Sequence, residues 1–321
     1  MNHYDSATLS EARPIPPNRS RSGLLWGFLG VLAFSFTVPF TRVAVMDGGL
    51  PPLFVGAGRA VVAAALAAVA LVVTRQALPR GGQWIRVAVV ALGVVIGFPV
   101  LTSFALTTAS ASHAAVVIAV LPAATAVAAV RRAGERPPPA FWVAAALGAV
   151  CAVGFAAVQG GGVGAVRPAD LLLFGAVIAA AIGYAEGGLL ARELGAWQTI
   201  SWALVVSAPV MVLLTAVAAR DGLPSGTTAG WAAFAYLGVV SMYLGFFAWY
   251  RGLAIGPMTT VSQVQLTQPV LGMDWAAVLL GEHIGWPTVL GGLVVVACAA
   301  IAVRSRSAGP GVTAAAAGRR R

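Results

Sequence analysis

The chain of 321 residues contains no lysine. That absence removes several chemistries. A Walker A loop closes on a lysine, a protein kinase needs its strand lysine, and a Schiff base to pyridoxal or retinal needs a lysine amine. The chain therefore has neither an ATP motor of its own nor a retinal. Charge of any kind is scarce: 9% of residues are charged, against about 25% in an ordinary soluble domain. Histidine is limited to three dispersed residues, which argues against a metal centre, and no cofactor is expected. The two cysteines, Cys151 and Cys298, both sit inside apolar runs.

Apolar residues are what the chain has in excess. They make up 59% of it, and the mean hydropathy is +0.89. No soluble fold hides that much apolar surface, so lipid is the expected solvent. A bilayer span needs about 20 apolar residues. Ten runs qualify: 24–46, 52–73, 84–106, 112–130, 140–158, 169–190, 197–218, 229–250, 259–280 and 286–303. They are separated by Pro- and Gly-rich breaks such as Gly48–Gly49 and Pro137–Pro139. Residues 1–23 and 304–321 read as disordered cytoplasmic tails.

All 20 basic residues are arginine, and the formal charge is +10. With the N-terminus placed in the cytoplasm, sixteen arginines fall on the inner side and only Arg167 and Arg220 in outer loops. This asymmetry follows the positive-inside rule. It explains the basic balance without nucleic acid. A multi-pass protein of the cytoplasmic (inner) membrane is expected, with both termini inside.

Sliding the chain against itself by 147 residues aligns Trp84 with Trp231, Leu106 with Leu253 and Pro122 with Pro269. The same shift aligns Gly134–Glu135 with Gly281–Glu282 and Cys151 with Cys298. A shift of 148 matches Leu24-Leu25-Trp26-Gly27 to Leu172-Leu173-Phe174-Gly175. The chain reads as two five-helix units. Five is odd, so the second enters the membrane from the opposite side. The expected fold is an all-α integral membrane protein: ten transmembrane helices as two inverted five-helix repeats, 24–158 and 169–303. Such repeats mark secondary transporters with a mid-membrane site between the halves. Inversion assigns Cys151 to the outer half of helix 5 and Cys298 to the inner half of helix 10, beyond disulfide reach.

Two stretches carry a family resemblance. One is Ala105-Leu106, Ala114-Ala115, Pro122 and Gly134-Glu135-Arg136; the other is Tyr250, Leu253, Pro269 and Leu280-Gly281-Glu282. Each resembles the end of an EamA domain, and Leu25-Trp26-Gly27 with Arg59 resembles the start of the first. The chain is thereby similar, over about 24–303, to the EamA group of the drug/metabolite transporter superfamily. The resemblance implies a ten-helix carrier, not an enzyme. It would export or exchange small polar or amphipathic metabolites, such as amino acids or drug-like solutes, by alternating access. Its partners would be a small-molecule substrate and the bilayer, with protons as a candidate coupling ion and a monomer or weak homodimer as the assembly. A proton-coupled multidrug or uptake permease, a membrane enzyme and a receptor stay open as alternatives.

Charges inside spans cost about 2.5–3.5 kcal/mol on insertion scales, so each needs a reason. Arg42, Arg59 and Asp274 fall in the outer half, Glu186 in the inner. Asp274 is expected to pair with Arg59 or Arg42, either lining the pathway or tying helices together. On helix 9, Thr260, Gln263, Thr267 and Asp274 share one face, and Ser262, Gln265 and Gln268 form a second polar flank. Cavity lining and interhelical hydrogen bonding both account for them. Ser35 and Tyr243 complete the candidate cavity residues. Asp274, Glu186 and His113 are the candidates for proton coupling. Pro122 and Pro269, equivalent in the repeat, each remove a backbone hydrogen bond and are candidate hinges, with a static kink as the alternative. No catalytic or metal site is expected.

Overall fold

The computed structural model describes residues 17–133, 138–160, 167–255 and 264–307. Every described element is helical, and no strand occurs among these residues. Seven helices are long and apolar enough to cross a bilayer: α1 (Ser22–Asp47), α2 (Pro52–Val73), α3 (Gln83–Ala105), α4 (Ala111–Arg132), α6 (Pro168–Leu194), α7 (Ala196–Ala218) and α8 (Thr228–Gly252). Three further helices, α5 (Pro139–Gly160), α9 (Gln268–Leu280) and α10 (Trp286–Ser307), have shorter apolar lengths over the described residues. Helical backbone already starts at Pro17, ahead of the expected first span. Proline suits the first helical turn, where its missing N–H is not needed.

The breaks have local causes. Gly49, Gly195 and Gly281 have positive φ (68°, 100° and 62°) where α1, α6 and α9 end, a conformation other residues adopt only under strain. α4 is interrupted at Ala119–Val120 and restarts at Leu121-Pro122. α9 restarts in the same way at Gln268-Pro269, after a 3-10 turn over Val264–Thr267. A proline cannot donate to the preceding turn, so each helix is re-initiated there. α3 and α8 each contain π-helical turns, over Ala91–Gly97 and Leu237–Leu244.

Packing follows a paired pattern. α2 lies on α7, α4 on α9 and α5 on α10, each helix against the one about 147 residues further along. α1 lies on α8, and α3 lies on α6. The close crossings are made by glycine. A Cβ on Gly93 would stand 2.3 Å from the Ala179 carbonyl oxygen, and one on Gly252 would stand 2.6 Å from Gly27 N. Without side chains, backbones approach closely enough for dispersion contacts to hold helices together in lipid. Large apolar side chains such as Val72, Ile85 and Val278 are exposed on the outer surface, as lipid solvation allows.

The α5–α10 pairing corrects one expectation. Cys298 and Cys151 are neighbours across this helix pair, close enough to interact. Each cysteine lies just past the middle of its helix, so assignment to opposite halves still leaves the two side by side where the helices cross.

Candidate functional site

α1, α4 and α9 meet around a small cavity of about 20 Å³, enough for roughly one water molecule. Its wall includes Phe34, Ser35, Pro122, Gln265, Gln268 and Pro269. The two predicted hinges therefore converge on one cavity. Gln265 is buried, and among the described residues its Nε2 has no hydrogen-bond partner; neither has Oε1 of Gln268. One unpaired donor and one unpaired acceptor thus stand at the same wall. Leaving such groups unpaired costs about 1–3 kcal/mol each. Ser35 Oγ donates to the Leu32 carbonyl (2.7 Å) and accepts from Trp275 Nε1 (2.9 Å).

The inward flank of α9 differs from the one expected. Pro269, Gly272, Met273 and Ala276 are buried, an i, i+3, i+4, i+7 face, and this turns Asp274 outward. Thr267 is likewise exposed, its hydroxyl donating to the Val264 carbonyl (2.7 Å). Thus Gln265 and Gln268 line the cavity, while Thr267 and Asp274 do not. Gln263 lies outside the described residues.

The expected pairing of Asp274 with an arginine is not formed among the described residues. Arg42 Nη1 instead donates to the carbonyls of Leu106 and Ala109, both at 2.8 Å, capping the C-terminal end of α3. A cation there also meets the negative end of the helix dipole. Arg59 is fully enclosed between α1 and α3, its Nη1 and Nη2 each 3.3 Å from the hydroxyls of Thr41 and Thr102. Tyr243 is half-buried and accepts from Ser201 Oγ (3.3 Å).

Glu186 is buried on α6 and holds two arginines, Arg86 of α3 and Arg132 of α4 (2.7 Å to Nε). Arg86 also binds Glu193. In the sequence both arginines look like topology markers only. The signal was their place within the first or last turns of apolar helices, where they can reach back along the bundle. Beside this cluster, α4, α5 and α6 surround a second cavity of about 640 Å³, with Val120 and Ala123 at one part of its wall and Arg131, Arg132 and Glu186 at another. Leu121 and Pro122 face the small cavity. The helix break in α4 therefore stands between the two.

On the far side of the bundle, His113 Nε2 donates to Asp170 Oδ1 (2.6 Å), and its ring stacks on Phe155. Asp170 Oδ2 accepts from Arg167 N (3.0 Å), so one carboxylate starts α6 and holds α4. Glu282, in the turn after α9, accepts from the backbone N–H of Ala111 (2.8 Å) and Ser112 (2.9 Å). It caps the N-terminus of α4 from the other half of the chain, where a helix carries partial positive charge. Its repeat counterpart, Glu135, lies outside the described residues.

The two proline breaks are matched across the 147-residue shift, and the helices that shift relates are paired. The model of the EamA-like transporter family matches residues 21–156 and again 167–304. The chain belongs to this family. It is similar to the "Uncharacterized transporter YdeK" of Bacillus subtilis (strain 168), with 44% identity over 287 residues, 89% of this chain and 99% of that protein. A protein of known crystal structure shares the fold, with a TM-score of 0.62 at 20% identity over 88% of this chain and 98% of its own. This EamA protein is accordingly a multi-pass membrane protein and a transporter, which implies a bilayer around it and a small-molecule substrate.

Proposed function

We propose that the protein is a secondary transporter that exports or exchanges small polar or amphipathic metabolites by alternating access. The observation that carries this is the unpaired Gln265 Nε2 and Gln268 Oε1 at a cavity bounded by both proline breaks. A donor and an acceptor without full charge suit polar neutral or zwitterionic solutes. Ser35 and Phe34 supply the opposing wall. Arg59 and Tyr243 belong to the pathway beyond it, and Arg42 holds the end of α3 in place.

In this reading α5, α9 and α10 also cross the membrane, giving ten spans in two inverted repeats with both termini cytoplasmic. The helix pairing supports it: α2–α7, α4–α9 and α5–α10 are self-paired under the 147-residue shift, and α1–α8 becomes α6–α3. The π-helical turns of α3 and α8 fall at matching positions. The larger cavity serves as the inner vestibule, separated from the solute site by the broken part of α4. Movement of α4 and α9 about Pro122 and Pro269 would join and divide the two. Glu186 and the His113–Asp170 pair are the groups through which protons would couple; Asp274, turned outward, is a weaker candidate.

Flux into proteoliposomes, over a panel of amino acids and neutral metabolites, tests the reading. Gln265→Leu should abolish flux of the transported solute while the protein folds normally. Undiminished flux in that variant would place the solute elsewhere.

A further inference from the structure

Arg59 is 1% exposed, and a guanidinium keeps its proton at any working pH. A full charge is therefore buried between α1, α2 and α3. Its neighbours are two neutral hydroxyls at 3.3 Å, and its Nε has no partner among the described residues. Those hydroxyls spend their own protons on backbone carbonyls: Thr41 on Thr37 (2.7 Å) and Thr102 on Phe98 (2.7 Å). They can accept from Arg59 but do not neutralise it.

No carboxylate among the described residues does so either. Asp170 is held by His113, Glu186 by Arg86 and Arg132, Glu193 by Arg86 and Asp221 by Arg220. Glu282 caps α4, and Asp47 and Asp274 are exposed. A buried charge is retained when something compensates it. The compensating anion is therefore not among the described residues, and a solute can supply it.

We propose that Arg59 is a receptor for a carboxylate group, carried by the transported solute or by a small monocarboxylate. This deepens the transport reading above and rests on it for the identity of the carrier molecule. Thr41 and Thr102 come from α1 and α3, so separation of these two helices uncovers the guanidinium. π-helical turns immediately before Pro99 in α3 mark a stretch whose hydrogen bonding is already irregular, which eases that movement. Nε and the Nη groups then offer the fork that a carboxylate fits bidentately. The site selects solutes with a free carboxylate, zwitterionic amino acids included, over their amides and esters.

Thermal unfolding of the purified full chain in detergent, titrated with sodium acetate, sodium chloride or acetamide, tests this. Acetate should raise the melting temperature saturably, chloride distinctly less and acetamide not at all. Arg59→Gln should weaken the acetate response at least tenfold. Thr102→Asp supplies an internal counter-ion. It should raise the melting temperature without acetate and abolish the response. An indifferent wild type, an equal response to chloride, or an unchanged response in Thr102→Asp would overturn the assignment, even if Arg59→Gln fails to fold. Proteoliposome flux separates the two claims. No flux with a retained acetate response sinks the transport reading alone. Flux of amides equal to that of the parent carboxylates sinks the anion site alone.

Discussion

Cys151 of α5 and Cys298 of α10 are neighbours where these two helices pack together. They are repeat equivalents, and their contact marks where the two halves of the chain cross near the middle of both helices. A thiol-reactive cross-linker of minimal length should join them within one chain. Mass spectrometry should then recover the linked peptide pair, and Cys151→Ser should abolish it. Two independently modified thiols, with no linked pair, would rule out the α5–α10 crossing.

The same pair shows what the sequence could and could not carry. Hydropathy located the helices, because a bilayer demands long apolar runs whatever their neighbours. The 147-residue register aligned the helices that the fold pairs, yet alignment alone did not say that they lie together. Rotation about each helix axis was not legible. α9 carries two polar flanks of similar strength, and hydrophobic periodicity gives no choice between them. The small residues Gly272 and Ala276 decide it, since they let α9 approach α4 and α1 and so bring Gln265 and Gln268 inward. Depth was legible only coarsely: calling two residues outer and inner said little when both lie near the middle of their helices. The Glu186 cluster was hidden for another reason. Arginine side chains are long enough to leave the helix end at which they are placed, so Arg86 and Arg132 looked committed to the aqueous face.

Pro122 and Pro269 make matched interruptions at one cavity. Replacing either with alanine permits a continuous helix, and a helix-interior proline costs about 3 kcal/mol relative to alanine. Pro122→Ala and Pro269→Ala should therefore leave the protein equally or more stable, yet lower flux about tenfold. Measured together, melting temperature and initial flux distinguish a hinge from a fixed kink. Full flux in both variants would show that the bends are static.

Glu282 caps α4 across the boundary between the halves. Glu282→Ala strips both N–H groups of their acceptor, and loss of an N-terminal cap costs about 1 kcal/mol. Amide hydrogen exchange should accelerate at Ala111 and Ser112 while the C-terminal end of α4 stays protected. Uniform acceleration along α4 would mean that the cap does not act locally.

Glu186 joins three helices, so its removal should be felt at a distance. Arg132 is half-exposed, at 53% for its side chain, which weakens its share through solvent screening. Arg86, at 20%, is the stronger partner. Glu186→Gln keeps the shape but loses the charge that both guanidiniums meet. A charge-assisted hydrogen bond is worth about 1.5–3 kcal/mol, so a destabilisation of about 2 kcal/mol is expected. Arg131→Gln is the control: Arg131 is exposed and forms none of the ion pairs among the described residues, and its loss should change stability by less than about 0.5 kcal/mol. Chemical denaturation in mixed micelles would report both values. The same Glu186→Gln protein also tests proton coupling. If Glu186 carries the proton, flux driven by a pH gradient should collapse while solute-driven exchange persists. Equal loss of both would assign Glu186 to holding α3, α4 and α6 together.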